Sequence, residues 1–246
     1  MRHVFGIVVA LLTIASYAQN LTTPEQVVTA MHDRYSRTWY RTLTFEQQSI
    51  THKPDGTSST DIWHETMLSP GLLRIEFGDG KAGNGALFAK GHEYVYHDGK
   101  QVKELDQLNP LLVLGFDVYC QSVEATLAAL KELHFGLSTL HEEQWEGRAV
   151  YVIGAKAGDT HTTQFWIDKE NLYFLRLLQP DEKDANVTED IRFTDYKPVD
   201  GGWLAEHVQV FSDGKLVFEE KYSDIKINPT LGGGLFDPQH FAKAAP

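Results

Sequence analysis

The chain has 246 residues, with 34 acidic against 22 basic side chains and a formal charge of −12. This balance excludes a nucleic-acid partner held by a basic patch and adhesion to anionic lipid headgroups by charge alone. The single cysteine, Cys120, excludes an internal disulfide, so stability must come from burial. Its surroundings, GFDVYCQSVEATL, read as helix with Cys120 as a small buried hydrophobe.

In chain order, residues 1–18 read as a secretory signal peptide. Arg2 and His3 give a polar start, VFGIVVALLTIA is an apolar run, and Ser16 and Ala18 stand where a signal peptidase requires small residues. The run is too short for a membrane anchor, and Cys120 lies too far from the cleavage site to carry an N-terminal lipid. Residues 19–246 carry no linker, repeat or low-complexity stretch and are expected to form one exported domain. It opens with TTPEQVVTAMHDRYSR: Thr23 as N-cap, Pro24 at the first helical position, and Val27, Val28, Met31 and Tyr35 on one face.

The text then becomes strand-like. TWYRTLTFEQQSITHK is rich in Thr, aromatic and β-branched residues, PDGT turns it, SSTDIWHETML returns, and LLRIEFG follows after SPG. ALFAKGHEYVYH reads as a strand, and HDG turns it into GKQVKEL. The pattern breaks at LNPLLVLGFDVYCQSVEATLAALKELHF, which has helical spacing. Gly115 separates two short helices, and Val123, Leu127, Leu130 and Leu133 share a face. Strands resume with EQWEGRAVYVIGAKAG, turned at Glu146-Gly147, and with the hairpin QFWIDKENLYFLRLLQ. Three more strands follow, with turns at PVDGG and SDG, and FDPQHF closes the chain.

About ten or eleven strands with Gly/Asn/Asp turns and no βαβ alternation give a mainly β chain with a single antiparallel sheet. A sheet of that size must twist, curl or close, and the helices are too few to cover both faces of a flat one. A strongly curved or barrel-like sheet, with its helices on the concave side, is therefore expected.

Few motifs point to chemistry. GDGKAGNG (Gly78–Gly85) matches GxGxxG, but a strand follows where a dinucleotide site needs a helix, so it reads as a turn. His92/His97 and His134/His141 lack zinc spacing, no HExxH exists and no Ser sits in GxSxG. The acidic clusters Asp181–Asp184 and Phe218–Glu220 fall in a turn and on a strand, with nothing that sets them across a cleft. No catalytic residue, metal site or cofactor is expected.

The aromatic and aliphatic load of the strands remains. Leu43 and Phe45 share one parity, as do Leu73, Ile75 and Phe77, Phe165 and Ile167, and Leu172, Phe174 and Leu178. These residues are either an ordinary core or the wall of a cavity for an apolar ligand. Leu111, Leu112, Leu114 and Phe116, with Leu127 and Leu130, are the candidate helical cover. In the hairpin's return strand the opposite parity, Tyr173, Leu175 and Leu177, is expected to face outward, and Arg176 interrupts the first.

The order of these segments resembles the outer-membrane lipoprotein carrier (LolA-like) family. The resemblance rests on an N-terminal helix leading into a strand with F-x-Q (Phe45–Gln47), SPGLLRIEF, YVYHDGKQV, a helical break, QFWIDKENLYFLRL, and YSDIKIN with a final LFDPQHF. It runs over nearly all of residues 19–246. It implies a half-open antiparallel barrel under a helical lid, whose apolar cavity shields acyl chains. The expected function is that of a periplasmic, monomeric, non-enzymatic carrier of acylated lipoprotein or another lipid, moving between an inner-membrane donor and an outer-membrane acceptor. The alternative is a non-catalytic cell-envelope scaffold with a filled core. The family's pattern has an arginine before the proline of the third-strand segment, where it latches the lid. Ser69 stands there in this chain, and Arg74 falls mid-strand.

Overall fold

The structure, a computed structural model, describes residues 20–78, 80 and 82–242. The signal peptide read over residues 1–18 lies outside them. Helix α1 (Pro24–Tyr35) starts as expected: Thr23 accepts the Gln26 N–H through its side chain, Pro24 opens the first turn, and Val27, Val28, Met31 and Tyr35 are buried. Six strands follow: β1 (Thr42–His52), β2 (Ser58–Leu68), β3 (Leu72–Phe77), β4 (Gly85–Ala89), β5 (His92–His97) and β6 (Lys100–Asp106). A helical segment comprises α2 (Pro110–Gly115), a 3-10 turn at Asp117–Tyr119 and α3 (Val123–Glu132). Seven strands complete the chain: β7 (Leu140–Trp145), β8 (Arg148–Ile153), β9 (Gln164–Asp168), β10 (Phe174–Pro180), β11 (Thr188–Val199), β12 (Gly202–Ser212) and β13 (Lys215–Ile227).

These thirteen strands, among the described residues, form one curved, unclosed antiparallel sheet in the order β6-β5-β4-β3-β2-β1-β13-β12-β11-β10-β9-β8-β7. The number exceeds the ten or eleven expected, partly because ALFAKGHEYVYH is two strands. Lys90 (φ 56°) and Gly91 (φ 83°) turn the chain between β4 and β5. The same left-handed pair builds the Asp98-Gly99 hairpin, where the primed turn matches the strands' twist.

The sheet is two consecutive meanders, β1–β6 and β7–β13, joined along β1 and β13. The segment from β6 to β7 connects the two free edges and lays its helices across the concave face. Residues of α1, α2, α3 and the Asp117–Tyr119 turn belong to the same apolar cluster as that face. Val27, Met31, Leu112, Leu114, Tyr119 and Leu130 pack with Leu43, Phe165, Phe174, Phe193 and Val208. Burial of such side chains contributes roughly 1.5–3 kcal/mol each and is the main force holding the helices down.

The convex face is dressed in two places. Over β8–β10, Val150, Val152, Trp166, Tyr173, Leu175 and Leu178 form a second cluster. Over β3–β5, the C-terminal segment crosses the sheet as a strap. The Phe241 ring stacks on Tyr96 at 4.0 Å, and the Tyr96 hydroxyl donates to the Pro238 carbonyl at 2.8 Å. Gly85 permits this approach: a Cβ there would lie 2.0 Å from the Ile75 carbonyl oxygen and 2.7 Å from the Phe241 ring.

Candidate functional site

The concave face and its helical cover form the candidate site. Of the wall residues, Leu43, Phe165, Ile167 and Phe174 are wholly buried, and Phe45 and Leu73 nearly so. Ile75 and Leu172 pack partly buried against them. Phe77 lies half-buried with its ring 4.6 Å from that of Trp63. All six cover residues join the cluster: Leu112, Leu114 and Leu130 buried, Leu111, Phe116 and Leu127 partly so. Sequence reasoning missed Trp39 and Tyr119, whose rings stack at 3.8 Å in the middle of the cover.

Leu178 does not belong to the wall. A β-bulge shifts the β9–β10 register: Phe174 pairs with Ile167, but Arg176 already pairs with Trp166. Leu175 and Arg176 therefore both oppose Trp166, and the parity inverts beyond them. Leu177, paired with Phe165, faces the concave core, and Leu178, paired with Gln164, joins the outer cluster. Arg176 is thus an outer residue. Its guanidinium lies 4.5 Å from the Trp166 ring centroid and donates twice to Asp190 at 2.7 Å. Against the cost of burial, bonds from Arg176 and Arg192 hold the Asp190 carboxyl below its usual range. The strand itself begins at Phe174; Leu172 (φ 55°) sits in the preceding turn, where Asp168 accepts the Glu170 and Asn171 N–H groups.

The cover is tied to the sheet rim by a few polar contacts. Asp117, wholly inside the rim, accepts the Gly71 N–H with both carboxylate oxygens at 3.1 and 3.0 Å. Burial pushes its carboxyl up to about 6, with the Gly71 bond working the other way. Arg41 donates to the carbonyls of Cys120 (2.7 Å) and Ser36 (3.2 Å). The Tyr35 hydroxyl donates to the Asn171 carbonyl at 2.5 Å, Arg34 donates to the Glu170 carbonyl, and the Tyr119 hydroxyl accepts the Phe174 N–H at 3.1 Å. At the position where the resemblance implies a latching arginine, Ser69 leads into a turn whose Ser69–Pro70 bond is cis, and Asp117 makes the tie from the opposite side. Arg74 points away from the cover. On the convex face it holds the strap, donating to the Phe241 carbonyl at 2.7 Å and to Glu76 at 2.9 Å.

Cys120 lies just after the 3-10 turn rather than within a helix. Burial pushes its thiol up to about 11, which leaves it unreactive at neutral pH.

The concave face also carries a polar group that sequence reasoning did not assemble. Glu65 on β2 and Glu220 on β13 flank β1. Burial, then the charge of Glu220, raises the Glu65 carboxyl well above its usual range. Glu220 is raised by burial, moderated by bonds from Tyr222 and Gln47. The Tyr222 hydroxyl donates to Glu220 at 2.7 Å. The available signal was a carboxylate inside an apolar parity, Trp63-Glu65-Met67 and Phe218-Glu220-Tyr222. Among the described residues no group of three or more His, Cys, Asp or Glu is placed to hold a metal ion. No helix among them is long and apolar enough to cross a membrane.

The fold has counterparts among solved structures. The chain is similar to a domain named for outer membrane lipoprotein sorting from Vibrio parahaemolyticus, at 16% identity and TM-score 0.58 over 89% of this chain and 98% of that one. A DUF1329 family protein from Desulfovibrio piger is similar at 14% identity and TM-score 0.59 over 87% and 95%. A LolA superfamily protein from Nitrosomonas europaea is similar at 12% identity and TM-score 0.54 over 88% and 98%. At these identities the likeness is one of fold. No protein-family model and no curated protein matches the sequence.

Proposed function

We propose that the chain is a non-enzymatic carrier of the cell envelope that shields the acyl chains of a lipoprotein or other lipid. In this reading it is exported to the periplasm and passes its cargo, as a monomer, from an inner-membrane donor to an outer-membrane acceptor. The observation that carries the reading is the shared core: wall residues such as Leu43, Phe45, Leu73 and Phe174 are buried by cover residues from α1, α2 and α3. The cover is held by side chains and a handful of rim bonds, not by strand pairing. Displacing it exposes a continuous apolar wall that an acyl chain refills, at about 0.8 kcal/mol per buried methylene. The fold of the Vibrio and Nitrosomonas proteins supports the same reading by analogy.

The test is native mass spectrometry of envelope-purified protein together with binding of a fluorescent fatty acid. Lipid should co-purify or the probe should bind, and Ile75→Glu should weaken binding more than folding, because Ile75 is only partly buried. Phe165→Glu, at a wholly buried site touching Phe135, should unfold the protein instead. Absence of both co-purifying lipid and probe binding would reject the carrier.

One observation favours the scaffold reading. A cavity between the cover and the wall, lined by Tyr40, Gly115, Phe116, Phe193, Trp203 and Ala205, measures about 10 Å³, room for a single water. A scaffold keeps this core closed in all conditions; a carrier opens it when lipid is present.

A further inference from the structure

The apolar core does not extend along the whole concave face. On β1 the inward positions run Leu43, Phe45, Gln47, Ser49. In register beside them on β2 stand Met67, Glu65, Trp63 and Asp61, and on β13 Tyr222 pairs with Gln47 and Glu220 with Ser49. Burial declines in the same direction on β2 and β13, while Gln47 and Ser49 on β1 stay buried. Met67 and Glu65 are buried, Trp63, Phe218, Glu220 and Tyr222 are half-buried, and Asp61 is exposed. The wall therefore passes from a covered apolar end into a polar zone that opens to solvent.

That zone gathers two buried carboxyls whose ionisation burial disfavours, with the Gln47 amide and the Ser49 and Tyr222 hydroxyls between them. Glu220 receives bonds from the Tyr222 hydroxyl at 2.7 Å and from the Gln47 amide, whose nitrogen also donates to Ser49 at 2.9 Å. Gln47 is fully buried, yet its Oε1 has no hydrogen-bond partner. A buried orphan acceptor beside two carboxylates needs a donor to satisfy it. Other concave positions of the sheet add the same sign: Glu93, paired in register with Phe88, and Glu189, two places before Ile191. Lys103, paired with Val95, is the cation that faces Glu93.

We infer that this zone is a built site for a primary ammonium group, with Glu65, Glu220 and Gln47 Oε1 as its three acceptors. The match is stoichiometric: an alkylammonium has three N–H donors, and the zone offers three acceptor groups. The rings of Trp63 and Phe218, 5.9 Å apart at the open side, provide faces that a cation favours. Phe45 and Ile75, the register neighbours of Glu65, lead from the site into the apolar wall. The inference thus rests on the carrier reading and narrows it: the ligand is an amphiphile with an amine head and an alkyl tail.

The experiment compares dodecylamine, dodecanol and laurate, each below its micelle concentration, by calorimetry on the wild-type chain and on the double variant Glu65→Gln/Glu220→Gln. Butylamine is titrated as an amine without a tail. The wild type should prefer dodecylamine at least tenfold over the other two twelve-carbon probes. The double variant should lose that preference and keep its affinity for dodecanol. Gln47→Met, which removes the third acceptor together with the amide donor to Ser49 and leaves both carboxyls in place, should reduce the preference and serves if the double variant does not fold. Equal binding of the three probes by the wild type, or a preference that survives in the double variant, overturns the ammonium site and leaves the carrier standing. Butylamine binding that the double variant loses, with no long-chain probe bound, keeps the site and removes the carrier. No binding of any probe removes both.

Discussion

The burial of Asp117 at its bond to the Gly71 backbone makes the stability of the cover depend on pH. The Asp117 carboxyl is 3% exposed and pushed up from 3.8 to about 6 by burial. In the folded protein it therefore binds a proton more tightly than in the unfolded chain. Between pH 4 and 6 the native state holds the extra proton, so stability falls as pH rises through this window and the cost of the ionised carboxylate is complete above it. The displacement corresponds to about 3 kcal/mol. Asp117→Asn has nearly the same shape, keeps one acceptor oxygen for Gly71 and cannot ionise. Urea unfolding at pH 4 and at pH 8 should show the variant gaining ~3 kcal/mol relative to wild type between the two. Other titrating groups cancel in this difference. A gap between wild type and variant that is the same at both pH values would refute the argument and place Asp117 in a solvated or compensated position.

Three further outcomes follow from the geometry. Asp190→Ala leaves Arg176 buried against Trp166 and should cost ~3 kcal/mol in urea unfolding; a loss below 1 kcal/mol would show that the guanidinium reaches water. Arg74→Met removes the donor that holds the Phe241 carbonyl, so limited proteolysis should cut within residues 229–242 well before it cuts the sheet, whereas an unchanged digestion pattern would mean that ring stacking alone fixes the strap. Cys120 should react with a thiol reagent at pH 8 far more slowly than in the unfolded chain, because burial raises its thiol; equal rates would show that the cover does not shield it.

Much of the fold was legible because its signals are local. The cap Thr23-Pro24 and the spacing of Val27, Val28, Met31 and Tyr35 define α1 without reference to the rest of the chain, and Asp98-Gly99 or Asp213-Gly214 mark turns by backbone requirement alone. The wall was legible as parity on the strands, where Leu43, Phe45, Leu73, Ile75, Phe165, Ile167 and Phe174 follow the alternation, while Leu172 sits in the turn before β10. Leu178 failed for a reason alternation cannot express. The bulge at Leu175–Arg176 adds one residue to a ladder, and its sole trace in the text is an arginine in an apolar run. Lys90-Gly91 was hidden because the apolar text runs on both sides of it. Glu65 and Glu220 come together because β1 lies between β2 and β13, and that adjacency is a property of the sheet order, not of either segment.

The seam between the two meanders has a consequence for how the molecule comes into being. The first strand pairs with the last, from Leu43 opposite Ile227 to Thr51 opposite Phe218, and among the described residues no other strand pairing joins the two halves. As the chain emerges, β1 can join β2 at once, but its other edge stays open until almost the whole sequence has appeared. An unpaired apolar edge is a template for the wrong partner, and contacts this distant in sequence form slowly. A chain arrested before β13 would thus consist of two half-sheets joined by no strand pairing and held only by the helices and their rim bonds, so the integrity of the barrel is decided by its final strand.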